Sequence, residues 1–527
     1  MRKASYWLAA MVGLTLILSA CSSEEDINPD NRNLKHITFT AGQAVTRTII
    51  DGTDAKQINW QAGETISILD GTNTARSFKL TSGAGEPEGT FEGMAQKTGI
   101  YTAVYPNQEK GLVLDGNSVK GAWLDPVQTA TAGTFDPKAN LMMARTKSGD
   151  KILQFHNMTA FVKVTPQMDC EQITIVSADS TVALAGTMTM TLDEDGTASA
   201  TVTGDFSHQV SLTGDIKAGQ TYYIAIAPAA LNGGIRMGIT TADGKHYYKD
   251  ASKLAAFTAN KVLNLGSISI EKMKWLPYVT FSAEDAQGVT LNEYLPAIES
   301  IEYSTDYGRH WSYFAPGQAH SFGKTTRLML RGNNPNGTAT DKMGEHSSFT
   351  FENDQTDVAC SGDIRTLING DGYQDADTKN ARFRHLFYYN TVLTSAPDLP
   401  ATELATDCYN SMFMGCVKLK KAPELPATQL TVNCYTHMFT LCSALNEAPI
   451  LKAPKLEVNC YENMFAECSS LNAVTMLATD VSAKNCLTGW LQGAGTNGGI
   501  LTVAAGMDSN GSIKDEKNTP KSWTVQQ

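Results

Sequence analysis

Cys408-Tyr409-Asn410-Ser411-Met412-Phe413-Met414-Gly415-Cys416 recurs 26 residues later as Cys434-Tyr435-Thr436-His437-Met438-Phe439-Thr440-Leu441-Cys442. It recurs again as Cys460-Tyr461-Glu462-Asn463-Met464-Phe465-Ala466-Glu467-Cys468. Leu419, Leu445 and Leu471 follow at a fixed offset, and Ala-Pro pairs at 396, 422 and 448 precede Leu399-Pro400, Leu425-Pro426 and Leu451. Leu404, Leu430 and Leu456 close each unit. A unit this short carries an apolar face that it cannot bury alone, so neighbouring copies must stack on one shared core. Residues 380–491 are therefore predicted to form a solenoid. Arg382, Leu386, Phe387, Asn390 and Leu393 before the array, and Cys486, Trp490 and Leu491 after it, keep the register imperfectly and read as worn terminal copies. Residues 492–527 read as a C-terminal cap.

Comparing the copies separates fixed from variable positions. Asn410 and Ser411 are replaced by Thr436 and His437, then by Glu462 and Asn463. Those six residues are the predicted binding face. Since His437 corresponds to Ser411 and Asn463, a catalytic or metal role shared among repeats is not expected. The array resembles the bacterial surface class of leucine-rich repeats. That resemblance implies a repeat core of Cys408, Met412, Phe413, Cys416, Cys434, Met438, Phe439, Cys442, Cys460, Met464, Phe465 and Cys468, a ladder of stacked strands, and return segments kept extended by proline. Seven of the ten cysteines, at 408, 416, 434, 442, 460, 468 and 486, fall in this register. Zinc sites favour cysteine pairs two to four residues apart, which these are not. Stacked equivalents would lie ~4.8 Å apart as parallel strands, a distance disulfides tolerate although side-chain directions usually oppose them. Buried thiols behaving as small apolar residues are the expectation.

Upstream, from about residue 35 to 270, apolar and polar residues alternate in short runs broken by Gly, Asp, Asn and Pro, the period of half-buried strands. Ile37-Thr38-Phe39-Thr40, Thr65-Ile66-Ser67-Ile68, Phe161-Val162-Lys163-Val164 and Tyr222-Tyr223-Ile224-Ala225-Ile226 are examples. The chain also carries, in order, Thr46-Arg47, Trp60-x-x-Gly63-Glu64, Gly89-Thr90-Phe91-x-Gly93 and Tyr101-Thr102-Ala103-Val104-Tyr105-Pro106. Phe155-x-Asn157-x-x-Ala160 to Val164, Ala185-Gly186-Thr187, Tyr222 to Pro228 and Asn264-Leu265-Gly266 follow. Together these resemble the fimbrillin family of major and accessory pilins. The resemblance implies two tandem transthyretin-like β-sandwiches, 35–150 and 151–270, divided near Ser148-Gly149-Asp150, with Trp60 and Tyr105 as core aromatics. It also implies a possible arginine-specific cut after Arg47, freeing the segment around Ile37 to Val45 so that a strand from another subunit can replace it. The residues beyond Ile270 depart from polymerising members, whose donor strand is C-terminal, and favour a tip, accessory or free-standing role.

The N-terminus reads as a processing segment, residues 1–20, with Arg2 and Lys3 before an apolar run from Trp7 to Leu18. Leu18-Ser19-Ala20-Cys21 looks like a bacterial lipobox, which makes Cys21 the predicted lipid attachment. Residues 21–34, with Glu24, Glu25 and Asp26, read as an acidic flexible linker resembling those of Bacteroidales-type lipoproteins on the exterior of the outer membrane.

Residues 271–379 read as a small β-sandwich spacer, giving a mainly β chain overall. A formal net charge of −12 and a pI near 5.3 argue against nucleic-acid partners, which require basic stripes. No HExxH, GxSxG, P-loop or EF-hand motif is present. Gly493 to Gly498 match GxGxxG without a surrounding βαβ unit, and Asp371, Asp375 and Asp377 have calcium-ligand chemistry but read as an ordinary turn. The expectation is a non-enzymatic surface protein without cofactor or metal, an adhesin or accessory or tip pilus component binding a protein or glycan, with other fimbrial subunits as further candidate partners. A structural fimbrial subunit cut near Arg47, and a glycan-capturing lipoprotein, are the alternatives.

Overall fold

A computed structural model describes residues 33–43, 59–72, 74–108, 111–294, 300–324 and 326–527. The expected leader at residues 1–20, the expected lipid attachment at Cys21 and the expected cut at Arg47 lie outside the described residues. The chain is mainly β, with 41% of residues in strands and 4% in helices. Among the described residues, no helix is long and apolar enough to cross a membrane.

The alternation at Ile37 to Thr40 and Thr65 to Ile68 places Phe39, Ile66 and Ile68 inside a closed barrel. Its strands run in the order Leu34–Gln43, Ile152–Asn157, Met142–Arg145, Thr102–Tyr105, Thr65–Leu69, Ala75–Ser82 and Gly89–Gln96, which returns to the first. Closure removes the exposed edges that an open sheet would present. Trp60 fills the interior edge-on to Phe91, Tyr105 and Phe155 at 4.9, 5.4 and 5.7 Å, and its indole N–H donates to the Ala41 carbonyl at 3.0 Å.

The expected division at 148–152 does not fall between the two units, and the strands of the first unit close into a barrel. Ile152–Asn157 belongs to the barrel, while Ser118–Leu124 leaves it to pair with Ala185–Leu192, and Val127–Thr129 pairs with Gln209–Ile216. The crossing segment is fastened by buried Gln128, whose amide accepts from the Ala225 N–H and donates to the Ala225 carbonyl. Two cores therefore form, but the chain passes between them more than once. The second core gathers Phe161, Ile173, Ile175, Met188, Ile224 and Ile239 from three-, six- and four-stranded sheets.

The third unit packs a five-stranded sheet containing Val279–Ala283 against a three-stranded one containing His346–Phe351. Phe281 meets Phe349 and Phe351 at 5.2 Å each. This core does not stop at residue 379. One apolar cluster continues from Val279 to Trp523, with Phe387 of the first coil 5.8 Å from Phe349 and the Asn390 amide donating to the Phe349 carbonyl. The spacer is thus the N-terminal cap of the stack. At the other end Ala473–Met476, Gly499–Val503 and Trp523–Gln526 form a parallel sheet, and the Trp523 indole donates to the Ala494 carbonyl at 3.0 Å.

Candidate binding surface on the coil stack

The repeats do not form the expected ladder of strands; they form a ribbon of turns. Amides of Tyr409, Ser411, Phe413 and Gly415 donate to the carbonyls of Cys434, Thr436, Met438 and Thr440 in the next coil, at 2.8–3.0 Å. The intervening amides of Asn410, Met412, Met414 and Cys416 close turns onto the residue three before, at 3.1–3.3 Å. Every fourth residue, Asp407, Ser411 and Gly415, is left-handed, with φ of 58, 54 and 78°. Asn433, His437 and Leu441, and then Asn459, Asn463 and Glu467, repeat the pattern. Extended strands would spend both backbone groups on neighbouring coils, whereas this ribbon alternates between neighbour and self.

Inside the ribbon the side chains stack in register. Phe387, Phe413, Phe439 and Phe465 lie 5.4, 5.7 and 5.6 Å apart with rings within 5° of parallel, and Tyr409 lies 5.9 Å from Tyr435. Met412, Met438 and Met464 are wholly buried beside them. All nine described cysteines are buried free thiols. Cys416, Cys442 and Cys468 donate to the carbonyls of Phe387, Phe413 and Phe439 in the preceding coil, at 3.0–3.1 Å. A small apolar group carrying one weak donor suits that position. Burial pushes the Cys442 thiol up to about 12, so it stays protonated and unreactive.

The predicted binding face requires correction. Asn410, Ser411 and Thr436 are only 9, 6 and 6% exposed. Their polar atoms are spent within the stack: Thr436 Oγ1 donates to the Asn459 carbonyl at 2.6 Å, and Ser411 Oγ to Asn410 Oδ1 at 2.8 Å. His437, Glu462 and Asn463 are partly open, with Asn463 Nδ2 3.5 Å from His437 Nε2. Burial lowers the His437 pKa, which keeps that ring neutral near pH 7. Asn410, Ser411 and Thr436 are thus enclosed in the turns, while His437, Glu462 and Asn463 stay partly accessible.

Two aromatic residues of the first coil, by contrast, are open to solvent. Tyr388 and Tyr389 of the first coil are 41 and 49% exposed, and their rings meet edge to face at 4.7 Å. His385 stands 5.0 Å from Tyr388 on the buried side of the pair. Tyr389 is left-handed, with φ of 56°, a conformation costing a bulky residue on the order of 1–3 kcal/mol. Its ring covers Gly415, where an added Cβ would come within 2.9 Å. The sequence signal was present: two tyrosines stand where later copies carry Met414-Gly415, Thr440-Leu441 and Ala466-Glu467.

Other candidates are accounted for by local structure. Asp371 accepts from the Tyr278 hydroxyl at 2.5 Å and pairs with Arg331 at 3.2 Å, beside an open cleft of about 330 Å³. Asp377 receives the Lys379 amide, and Asp375 ends a 3-10 turn. Gly493, Gly495 and Gly498 lie in turns that lead into the Gly499–Val503 strand, without a phosphate-facing helix.

No family model and no curated protein matches this chain. Among solved structures it is similar to a candidate cell adhesion protein from Bacteroides uniformis, at 19% identity over 46% of this chain and 95% of that one, TM-score 0.30. It is also similar to a fimbrial protein from Bacteroides ovatus, at 10% identity over 46% of this chain and 63% of that one, TM-score 0.23. A fimbrial assembly protein from Parabacteroides distasonis shows 10% identity over 46% of this chain and 95% of that one, TM-score 0.23. All three scores lie below 0.5, so the reading of the surface rests on this chain's own residues.

Proposed function

We propose that this chain is a lipid-anchored surface protein of the outer membrane, attached through Cys21 and facing the exterior. It acts as an adhesin or as an accessory or tip component of a pilus, and its leucine-rich-repeat solenoid presents the binding flank. The observation that carries this is the exposed Tyr388–Tyr389 pair, with Tyr389 set at the left-handed turn position that Gly415, Leu441 and Glu467 fill in later coils. An exposed aromatic face offers area at low entropic cost to the C–H face of a sugar or to an apolar anchor of a protein. The test is a glycan and matrix-protein array probed with the chain from residue 22 onward and with a Tyr388→Ala/Tyr389→Ala variant. Binding by the parent and its loss in the variant is the expected result. A silent parent, or equal binding by both, overturns the assignment. Signal confined to glycans selects the glycan-capturing reading of the same surface. Radiolabelled palmitate should enter the parent protein and not Cys21→Ala.

A second reading, a fimbrial subunit that polymerises by strand exchange from transthyretin-like units, has its own observation. Leu34–Gln43 is paired on both sides, with Gly89–Gln96 and Ile152–Asn157, and buries Phe39 and Ala41 completely. Cleavage after Arg47 would free a strand whose loss leaves a groove in the barrel. Ladders resistant to sodium dodecyl sulfate after treatment with an arginine-specific protease would favour this reading, and purely monomeric product would exclude it.

A further inference from the structure

Where the second unit meets the third, three potential metal ligands converge from distant parts of the chain. His208 stands in the turn between strands Ala198–Ser207 and Gln209–Ile216, while Asp306 and His310 stand in the loop between Ile301–Ser304 and Ser312–Tyr313. One ligand atom from each lies within 4.8 Å of the other two. Asp306 Oδ2 is 2.6 Å from His310 Nδ1 and 3.6 Å from His208 Nε2, and the two imidazoles meet edge to face.

The loop is shaped to aim that carboxylate. Asp306 Oδ1 accepts from Ser304 Oγ at 2.8 Å and from the backbone N–H groups of Arg309 and His310 at 3.0 and 2.9 Å, which leaves Oδ2 to the imidazoles. Pinning a ligand's free atom from behind is how outer partners orient metal ligands. His208 Nε2 is shielded from solvent and makes no hydrogen bond. The surroundings are fixed as well. The Tyr307 carbonyl accepts from Arg236 Nη1 at 3.0 Å, its hydroxyl bonds Thr240 Oγ1 at 3.0 Å, and its ring lies on Gly238, where a Cβ would meet it at 2.4 Å.

We propose that His208 Nε2, Asp306 Oδ2 and His310 Nδ1 bind one Zn²⁺, with water in the fourth position, and that the ion clasps the second unit to the third. Two imidazoles and a carboxylate suit zinc, whereas calcium and magnesium select oxygen-only sets. Ligands on a tetrahedral zinc with bonds of about 2.0–2.2 Å lie roughly 3.3 Å apart. His208 then closes on Asp306 by a few tenths of an ångström, and His310 opens by about 0.7 Å as it gives up its hydrogen bond. For the ion to bind, the proton on His310 Nδ1 moves to Nε2 or leaves to water, because the metal takes the nitrogen lone pair.

The test is calorimetric titration of the chelator-stripped chain from residue 22 onward with zinc chloride, using calcium chloride as the control. One Zn²⁺ per chain and no calcium binding are expected, and zinc at about 100 times Kd should raise the unfolding midpoint by roughly 5 °C. His208→Gln and His310→Gln should each weaken binding by at least about 100-fold, the upper range even for an outer partner. His208→Gln lies in a different unit and leaves the Asp306 loop intact, so the test holds if the loop variant misfolds. A folded parent that takes up no zinc, or undiminished one-to-one binding in His208→Gln, overturns the proposal.

Discussion

The N-terminal barrel and the coil stack must both pair their buried backbone groups, and they do so by opposite means. In the barrel, eight consecutive residues from Leu34 to Ala41 pair with Gln96 to Gly89, and side chains alternate between core and surface. In the stack, alternate amides reach the next coil and the others close a turn at home. A core defect in the barrel is therefore confined to an aromatic cluster of its own, whereas one in the stack lies on a spine shared with the Phe281–Phe349 sandwich. Mutation should expose this difference.

The largest expected effect comes from cutting the phenylalanine stack. Phe439→Ala should cost about 3–5 kcal/mol, and denaturant unfolding followed by hydrogen exchange should show lost protection in residues 346–351 as well as in neighbouring coils. Phe39→Ala should cost as much, yet leave protection of 408–468 unchanged. Equal spread in both variants would erase the distinction.

Gly415→Ala comes next, at about 2 kcal/mol, because an alanine there is both left-handed and in collision with Tyr389. In a Tyr389→Ala background the cost should fall to about 1 kcal/mol, and a double-mutant cycle measures the difference.

The thiols sharpen the comparison through pH. Burial raises the folded Cys442 pKa from 9.0 to about 12, so its contribution is intact below about pH 9 and is lost as pH rises towards 12, where only the unfolded thiol is ionised. Cys416, Cys434 and Cys468 are displaced in the same direction. Unfolding of the stack should consequently become easier across that window more steeply than unfolding of the barrel, which has no described cysteine in its core. Parallel slopes would contradict it. The smallest stability effect belongs to Tyr388→Ala/Tyr389→Ala, within about 0.5 kcal/mol, while ligand capture is lost.

Sequence and structure agree most closely where contacts are local or repeated. The 26-residue period placed Phe413, Phe439 and Phe465 at equivalent sites, and alternation marked Phe39 and Ile66 as interior. The turn ribbon was legible only in part: Asp407, Asn433, Asn459, Asn463 and Gly415 are types that enter the left-handed region readily, whereas Ser411, Leu441 and Glu467 at the equivalent turns carry no such signal. Solvent access at Asn410 and Thr436 depends on hydrogen bonds made within the stack, which variability among copies does not report. The transfer of Ser118–Leu124 into the second unit and the meeting of His208 with Asp306 join residues tens of positions apart, beyond any local pattern.

The central claim is that sandwich, coils and cap share one continuous spine. Native-state hydrogen exchange on the intact chain tests it most directly, by following the amides of Phe413, Phe439 and Phe465 together with those of Phe349 and Phe351. A single common opening free energy across these amides is predicted. Coils that open one after another, with energies independent of the sandwich, would contradict it.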